Sequence, residues 1–286
     1  MSKKIFIGMP VYNGENTIRR AIDSLLSQSY ANFDLVISDN CSTDDTENIC
    51  KEYVIADARV VYIRQKENIG VFNFEYLLKN CNETYFMWAA ADDKWSNNFL
   101  SENVNFLELN PTFVASTGKS YFCDESALKI NSPSINNKII GNDIERILSF
   151  FDISWKSNGI FYSVMRHRAI SKYLFPKKPY MGLDWSVIVH LISFGNINCV
   201  EDSYIIFNTK GASSSKNPWG NYKRSPKEYF FPFYGFTLHL LILTKKYSIK
   251  YQIMIVLKLI KFNLITANMQ FQAELYQLYK KFFKLK

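Results

Sequence analysis

The chain has 286 residues, of which 48% are apolar, 16% aromatic and 21% charged, with only 11 Gly and 8 Pro. That composition excludes a disordered, collagen-like or linker-rich chain. Lys and Arg outnumber Asp and Glu by 34 to 26, but nine Lys against one Glu fall from Lys245 onward, so the preceding residues are neutral and the charge argues against a body that coats nucleic acid.

An apolar run at residues 5–9, closed by Pro10, reads as a buried strand. Ile18, Ala21, Ile22, Leu25 and Leu26 then recur at helical spacing, with Arg19, Arg20 and Asp23 off the stripe. A second strand is expected over 33–38 with Asp39 at its end. Ser42, Thr43, Asp44 and Asp45 offer a cap and an acidic first turn for a helix running to about Tyr53. A strand over 60–64, a helix over 71–79 and a strand over 84–89 complete a βαβαβαβ order. Such alternation implies a mainly parallel, Rossmann-like sheet with flanking helices and a ligand crevice beyond the carboxyl ends of its strands.

Further on, the pattern gives a helix over 97–110, a strand over 113–122, a polar loop over 124–141, a helix over 143–151, a strand over 159–165, a helix over 184–194 and a strand over 203–208. Residues 211–226, rich in Ser with Gly and Pro, read as a flexible segment and a candidate lid. No internal repeat is visible. The five Cys (Cys41, Cys50, Cys81, Cys123, Cys199) are widely spaced without metal-ligand pattern and read as reduced thiols. The amino terminus carries too short an apolar run for a secretory signal, which implies a cytoplasmic protein.

Four loops follow the first four strands. In the first, Pro10 is rigid, Tyr12 can cover a flat base and Glu15 can accept from a hydroxyl; Asn13 reads equally as a helix cap and Tyr12 as packing. Asp39 in the second can accept the imide hydrogen of a uracil or a ribose hydroxyl, while Ser42 and Asp44 serve the next helix. The third places Gly70 where backbone approaches a ligand, with Asn68 and Asn73 able to line it; an ordinary turn uses the same residues. In the fourth, the adjacent carboxylates of Asp92 and Asp93 repel one another unless a cation lies between them and a ligand. A solvated turn is the plain alternative.

Taken together, the segments 9–15, 36–44 and 68–70 with Asp92-Asp93, in that order and spacing, resemble family 2 glycosyltransferases of the GT-A fold over about the first 120 residues. The resemblance implies an inverting transferase of the hexosyltransferase class with a nucleoside diphosphate sugar donor, commonly a uridine diphosphate sugar, and a Mn or Mg ion. It implies that Pro10, Tyr12, Glu15 and Asp39 hold the nucleoside, that Asn68, Gly70 and Asn73 lie near ribose and phosphates, and that Asp92 and Asp93 serve the metal and donor. Two departures stand out. Ala90 replaces the first carboxylate of the Asp-x-Asp-Asp pattern of many members, and Asn82 stands where Gly is common.

An inverting displacement needs a base for the acceptor hydroxyl. The resemblance points to Asp184, although Leu183 stands where Glu is frequent and Asp184 also suits a helix cap. Trp95, Trp155 and Trp185 read either as sugar platforms or as core. His167, His190 and His239 lie in no motif.

The expected organisation is a catalytic domain over 1–215, with donor binding in 1–120 and acceptor binding in 121–215, followed by a basic helical extension over 216–286. Lys258 and Lys261 interrupt the apolar stretch 251–265, which argues against a spanning segment. The interleaved Lys and aromatic residues suit an anionic membrane surface at the inner face of the cell membrane; packing on the catalytic domain or on a second copy in a homodimer is the alternative. The expected product is a linkage on a glycan or lipid-linked acceptor in cell-surface polysaccharide synthesis. Two rivals remain at this stage. One is a catalytically silent scaffold homologue. The other is a sugar nucleotidyltransferase, against which stands the lack of a Gly-rich, Lys/Arg-bearing first loop.

Overall fold

The strongest structural signal in the chain is the pairing of its first four strands. The computed structural model describes residues 3–124, 129–130, 138–153, 158–208 and 226–283. In chain order it contains β1 (Ile5–Val11), α1 (Ile18–Leu26), β2 (Phe33–Asp39), α2 (Thr46–Ala56), β3 (Val60–Arg64), α3 (Phe72–Lys79), β4 (Tyr85–Trp88), β5 (Lys94–Trp95), α4 (Phe99–Leu109) and β6 (Phe113–Asp124). Next come β7 (Lys129–Ile130), α5 (Asp143–Ile153), α6 (Asn158–Phe161), β8 (Val164–Arg166), α7 (His167–Ile170), α8 (Leu183–Ile192) and β9 (Asn196–Asn208). The carboxyl-terminal helices are α9 (Pro226–Phe230), α10 (Tyr234–Leu243) and α11 (Ile249–Phe282).

Among the described residues the strands form one nine-stranded sheet in the order β3-β2-β1-β4-β8-β6-β9-β5, with β7 on β6. β3, β2, β1 and β4 are all parallel, as the βα alternation requires, and β1 and β2 are buried almost throughout. Their register brings Val11, Asp39 and Arg64 level across three strands. Ile5, Ile7, Met9, Leu35, Ile37, Tyr85 and Met87 join Ala21, Ile22 and Leu25 of α1 in one buried cluster, so the loops beyond it are carried on a rigid base.

Past β4 the sheet is mixed: β8 runs antiparallel to β4 and β6, and β5 antiparallel to β9, while β6 and β9 are parallel. The strand expected over 159–165 is instead a helical turn, α6, followed by the short β8; a brief apolar run satisfies burial in either conformation. β9 begins seven residues before the expected strand. Residues 211–225 of the candidate lid, Trp155 and most of the polar loop over 124–141 lie outside the described residues.

The chain divides into two units, Met1–Phe175 with His190–Gly211 and Pro176–Val189 with Ala212–Lys286. The first carries the sheet. In the second, Trp185 stacks on Phe233 at 4.8 Å and meets Phe262 at 5.0 Å, an aromatic core to which α10 adds Phe236 and Leu240. By length and composition, α11 is apolar enough to cross a membrane, with 28% of its most apolar window buried within the protein. The interruption by Lys258 and Lys261 is thus too sparse to exclude that on composition alone.

Candidate functional site

Three strand-end loops of the first unit are sewn together by side chains. After β1, Asn13 adopts φ +51°, a left-handed conformation that Asn tolerates better than most residues. Its N–H donates to Ser42 Oγ at 2.9 Å, and its Oδ1 accepts from the Thr43 N–H at 2.8 Å. The Gly14 N–H donates to Thr46 Oγ1 at 2.8 Å, and Glu15 Oε2 accepts from the Asp45 N–H at 2.9 Å. The first loop is thereby fixed to the second.

Asn40, buried at the end of β2, fixes the second loop to the third. Its N–H donates to the Val11 carbonyl at 2.7 Å, its Oδ1 accepts from the Ile69 N–H at 2.8 Å, and its Nδ2 donates to the Gly70 carbonyl at 3.2 Å. Asn68 Oδ1 accepts from the Gly70 N–H at 2.9 Å, shaping the turn in which Gly70 takes φ +59°. No atom lies within 4 Å of where a Cβ would project from Gly70, so Gly is required there by backbone conformation rather than by space. Asn73, in the first turn of α3, is buried; its Oδ1 accepts from Ser38 Oγ at 2.6 Å and its Nδ2 donates to the Ser38 carbonyl at 2.8 Å.

Between these loops opens a cleft of about 140 Å³, lined by Pro10, Val11, Tyr12, Asn40, Gly70, Asn73 and Phe74. Tyr12 is half exposed and offers its ring, a flat apolar face beside backbone and amide groups. Of the residues expected to hold a nucleotide, Pro10, Tyr12, Gly70 and Asn73 converge on this cleft, whereas Asn68 acts on the turn and Glu15 on the neighbouring loop. Asp39 is fully buried. Its Oδ1 accepts from the Ser42 N–H at 2.8 Å, and its Oδ2 accepts from Tyr62 Oη at 2.6 Å and Arg64 Nη1 at 2.9 Å. Arg64 also donates to the Ser42 carbonyl at 2.8 Å, and burial, joined by the hydrogen bond to Asp39, pushes the Tyr62 phenol up. Sequence reasoning missed Asn40, Tyr62, Arg64 and Phe74. The position of Asn40 directly after Asp39 was the available signal.

The fourth loop leaves β4 beside β1, at the same end of the sheet. The Asp92 carbonyl accepts from Arg20 Nη2 at 2.6 Å. Asp93 is buried, with Oδ1 accepting from the Asn208 N–H of β9 at 3.1 Å. Desolvation and the adjacent Asp92 charge push the Asp93 carboxyl up to about 8, and desolvation also raises Asp92. Among the described residues no three His, Cys, Asp or Glu side chains gather as metal ligands. Two neighbouring carboxyl groups whose mutual repulsion Arg20 offsets only in part nevertheless fit a hard divalent cation that completes its shell with phosphate oxygens and water.

Asp184 belongs to the second unit, in the first turn of α8. The residue is open to solvent yet crowded by protein atoms at longer range, and that crowding raises its carboxyl above the ordinary range. Its neighbour Trp185 lies in the aromatic core, and Trp95 is buried under the sheet, so both are packing residues rather than sugar platforms. A flat ring inside a core buries more apolar area than one at a wet surface.

The family model for glycosyl transferase family 2 matches residues 6–175. Glycosyltransferase GlyA of Streptococcus pneumoniae is 38% identical over 91 residues, covering 32% of this chain and 13% of GlyA. The Escherichia coli protein WfaP, named as a UDP-Glc:alpha-D-GlcNAc-diphosphoundecaprenol beta-1,3-glucosyltransferase, is 32% identical over 114 residues, 39% of this chain and 44% of WfaP. The chain thus spans less than half the length of these curated relatives. Among solved structures, Staphylococcus aureus TarS 1-349 in complex with UDP-GlcNAc superposes with a TM-score of 0.67 at 16% identity, over 90% of this chain and 71% of TarS 1-349. The mannosyltransferase PcManGT of Pyrobaculum calidifontis, in complex with GDP-Man and Mn2+, gives 0.57 at 12% identity, over 100% of this chain and 89% of PcManGT. At such identities the likeness speaks for the fold.

Proposed function

The chain belongs to glycosyl transferase family 2, with a curled mixed sheet and flanking helices similar to the GT-A enzymes, and on that premise we propose that it transfers a hexose from a uridine diphosphate sugar to a hydroxyl of a glycan or lipid-linked acceptor. The reaction inverts the anomeric carbon and serves cell-surface polysaccharide synthesis at the cytoplasmic face of the membrane. One observation carries the reading: a cleft with an aromatic wall opens at the ends of parallel strands whose neighbouring loop bears paired, charge-stressed carboxylates. The WfaP name, with its uridine diphosphate donor and lipid diphosphate acceptor, and the nucleotide sugar in the TarS title support it.

In this reading Pro10 and Tyr12 sandwich the base edge. Asp39 keeps one of its roughly four acceptor directions beyond the three that chain partners occupy, and uses it for the base imide or a ribose hydroxyl. Glu15, Asn68, Gly70 and Asn73 border the ribose and phosphates. Asp92 and Asp93 would hold a Mn or Mg ion, which when bound neutralises charge on the diphosphate. The acceptor oxygen forms its bond to the anomeric carbon as the bond to the diphosphate breaks, the electron pair leaves with the diphosphate, and Asp184 takes the hydroxyl proton. The raised carboxyl of Asp184 suits a base, since a stronger base removes the proton more readily.

Calorimetric titration of uridine diphosphate, with guanosine diphosphate as control, with and without Mn, tests the donor assignment. Metal-dependent binding of the uridine nucleotide that disappears in Asp93→Ala is expected. Lack of binding to either nucleotide sinks the reading in favour of a silent homologue. Asp184→Asn is expected to retain donor binding while kcat falls by about 10²–10⁴-fold; full turnover in that variant removes Asp184 from the mechanism.

A further inference from the structure

Helix α11 carries two apolar arcs, and the protein uses only one. At about 100° per residue, Ile255, Leu259, Phe262, Thr266 and Gln270 share one side, and all are buried. Within the second unit that side closes on α10 and the turn before it. Phe262 lies 4.8 Å from Phe233, Asn263 Oδ1 accepts from the Phe233 N–H at 3.0 Å, and Asn263 Nδ2 donates to Thr237 Oγ1 at 3.1 Å.

The other arc is centred roughly 130° away by the same helical geometry. Ile249, Ile253, Leu257, Ile260, Leu264 and Phe271 fall within it and are 50 to 75% exposed, and the stripe continues to Phe282. Lys250 and Lys261 lie along the arc's edge, within about 80° of its centre by the same geometry, whereas Lys258 projects from the far flank. Glu274 is the sole acidic residue of α11, and it accepts a hydrogen bond from Tyr229 Oη at 2.8 Å. A soluble surface rarely leaves so continuous an apolar strip in water.

Three kinds of occupant cover a strip of this sort: a bilayer crossed by the helix, a second copy, or a lipid surface on which the helix lies. A path across the bilayer would strip the first arc of Trp185, Phe233 and the Asn263 hydrogen bonds, and its 34 residues, about 50 Å of helix, overshoot the hydrocarbon layer. A second copy would press two segments of nine Lys and one Glu together with no acidic partner to offset them. An anionic lipid surface supplies both the apolar phase and the missing negative charge. We propose that the Ile253–Leu257–Ile260–Leu264 arc of α11 lies in the plane of an anionic bilayer, with Lys250 and Lys261 reaching the headgroup phosphates. Long lysine stems allow the ammonium groups to reach headgroups while their methylenes stay on the apolar edge.

The inference sharpens only the membrane-face part of the reading above. Vesicle binding is measured without donor or acceptor, so its failure leaves the transferase assignment standing, and loss of nucleotide binding leaves this surface standing. The full chain is sedimented with vesicles of phosphatidylcholine alone or with about one third phosphatidylglycerol. Pelleting with the anionic vesicles is expected. Lys250→Gln together with Lys261→Gln should lose about twenty-five-fold in partitioning, some fivefold per lysine. Leu257→Gln/Leu264→Gln, both at exposed positions, should also release the protein while its circular dichroism stays unchanged. Equal pelleting of that double variant and the parent overturns the proposal, because binding would then be a matter of basic charge alone. A lipid-independent dimer in analytical ultracentrifugation that the same double variant dissolves overturns it in favour of a second copy.

Discussion

Asp39, the last residue of β2, and Asp93, in the loop after β4, are both buried carboxylates carried by strands that flank β1, yet they live in opposite circumstances. Asp39 is answered from within the chain by a backbone N–H, a phenol and a guanidinium. Asp93 receives a backbone N–H from Asn208, and burial together with the adjacent charge of Asp92 drives its carboxyl up to about 8. The difference teaches where organisation is mostly finished by folding and where most of it is left for a ligand. A carboxylate mostly satisfied by its own fold holds loops in shape and has one acceptor direction to spare, while one whose burial and repulsion outweigh the nearby Arg20 attracts a cation or a proton from outside.

Substitutions at the two loops should therefore differ in sign. The largest effect is expected for Asp39→Ala, which orphans the Ser42 N–H and the Tyr62 hydroxyl; urea unfolding should show a loss of about 3 kcal/mol. Asn40→Ala comes next. Removing its bridge to Ile69 and Gly70 should cost about 2 kcal/mol and weaken binding of uridine diphosphate together with stability. If affinity stays fixed while stability drops, the second and third loops act on the cleft independently. The smallest effect carries the opposite sign: Asp93→Asn keeps an acceptor for the Asn208 N–H, removes the cost of protonating or charging a buried carboxyl and should stabilise the metal-free protein by about 1 kcal/mol in thermal melts. A destabilised Asp93→Asn would erase the contrast between the two carboxylates.

The half of the fold built from alternating strands and helices was legible because burial and periodicity agree there. Ile5 to Met9 can only be a buried strand between polar loops, and Ile18, Ala21, Ile22 and Leu25 leave one helical face. Pro10, Tyr12, Gly70 and Asn73 could be picked out because strand ends in a parallel sheet must face one crevice. What escaped was set by contacts far apart in sequence. Nothing near Asn40 announces that it will hold Ile69 and Gly70, and Arg64 looks like the last residue of a strand until Asp39 appears level with it. Beyond β4, Ile160 and Phe161 are buried in a helical turn as readily as in the expected strand. In α11 two apolar arcs overlap in the sequence, so the pattern looks only weakly one-sided until the packed arc is subtracted.

The strand order places β1 between β2 and β4, although β4 follows β1 by more than seventy residues. The chain leaves β1 toward one edge of the sheet and returns on its other side, the reversal of winding at which a parallel sheet leaves a crevice outside its strand ends. The opening is a property of connectivity. Single substitutions of Tyr12, Asp92 or Asp93 can silence what happens there without closing it, and a descendant that had lost its chemistry would still carry a preformed mouth available for another ligand.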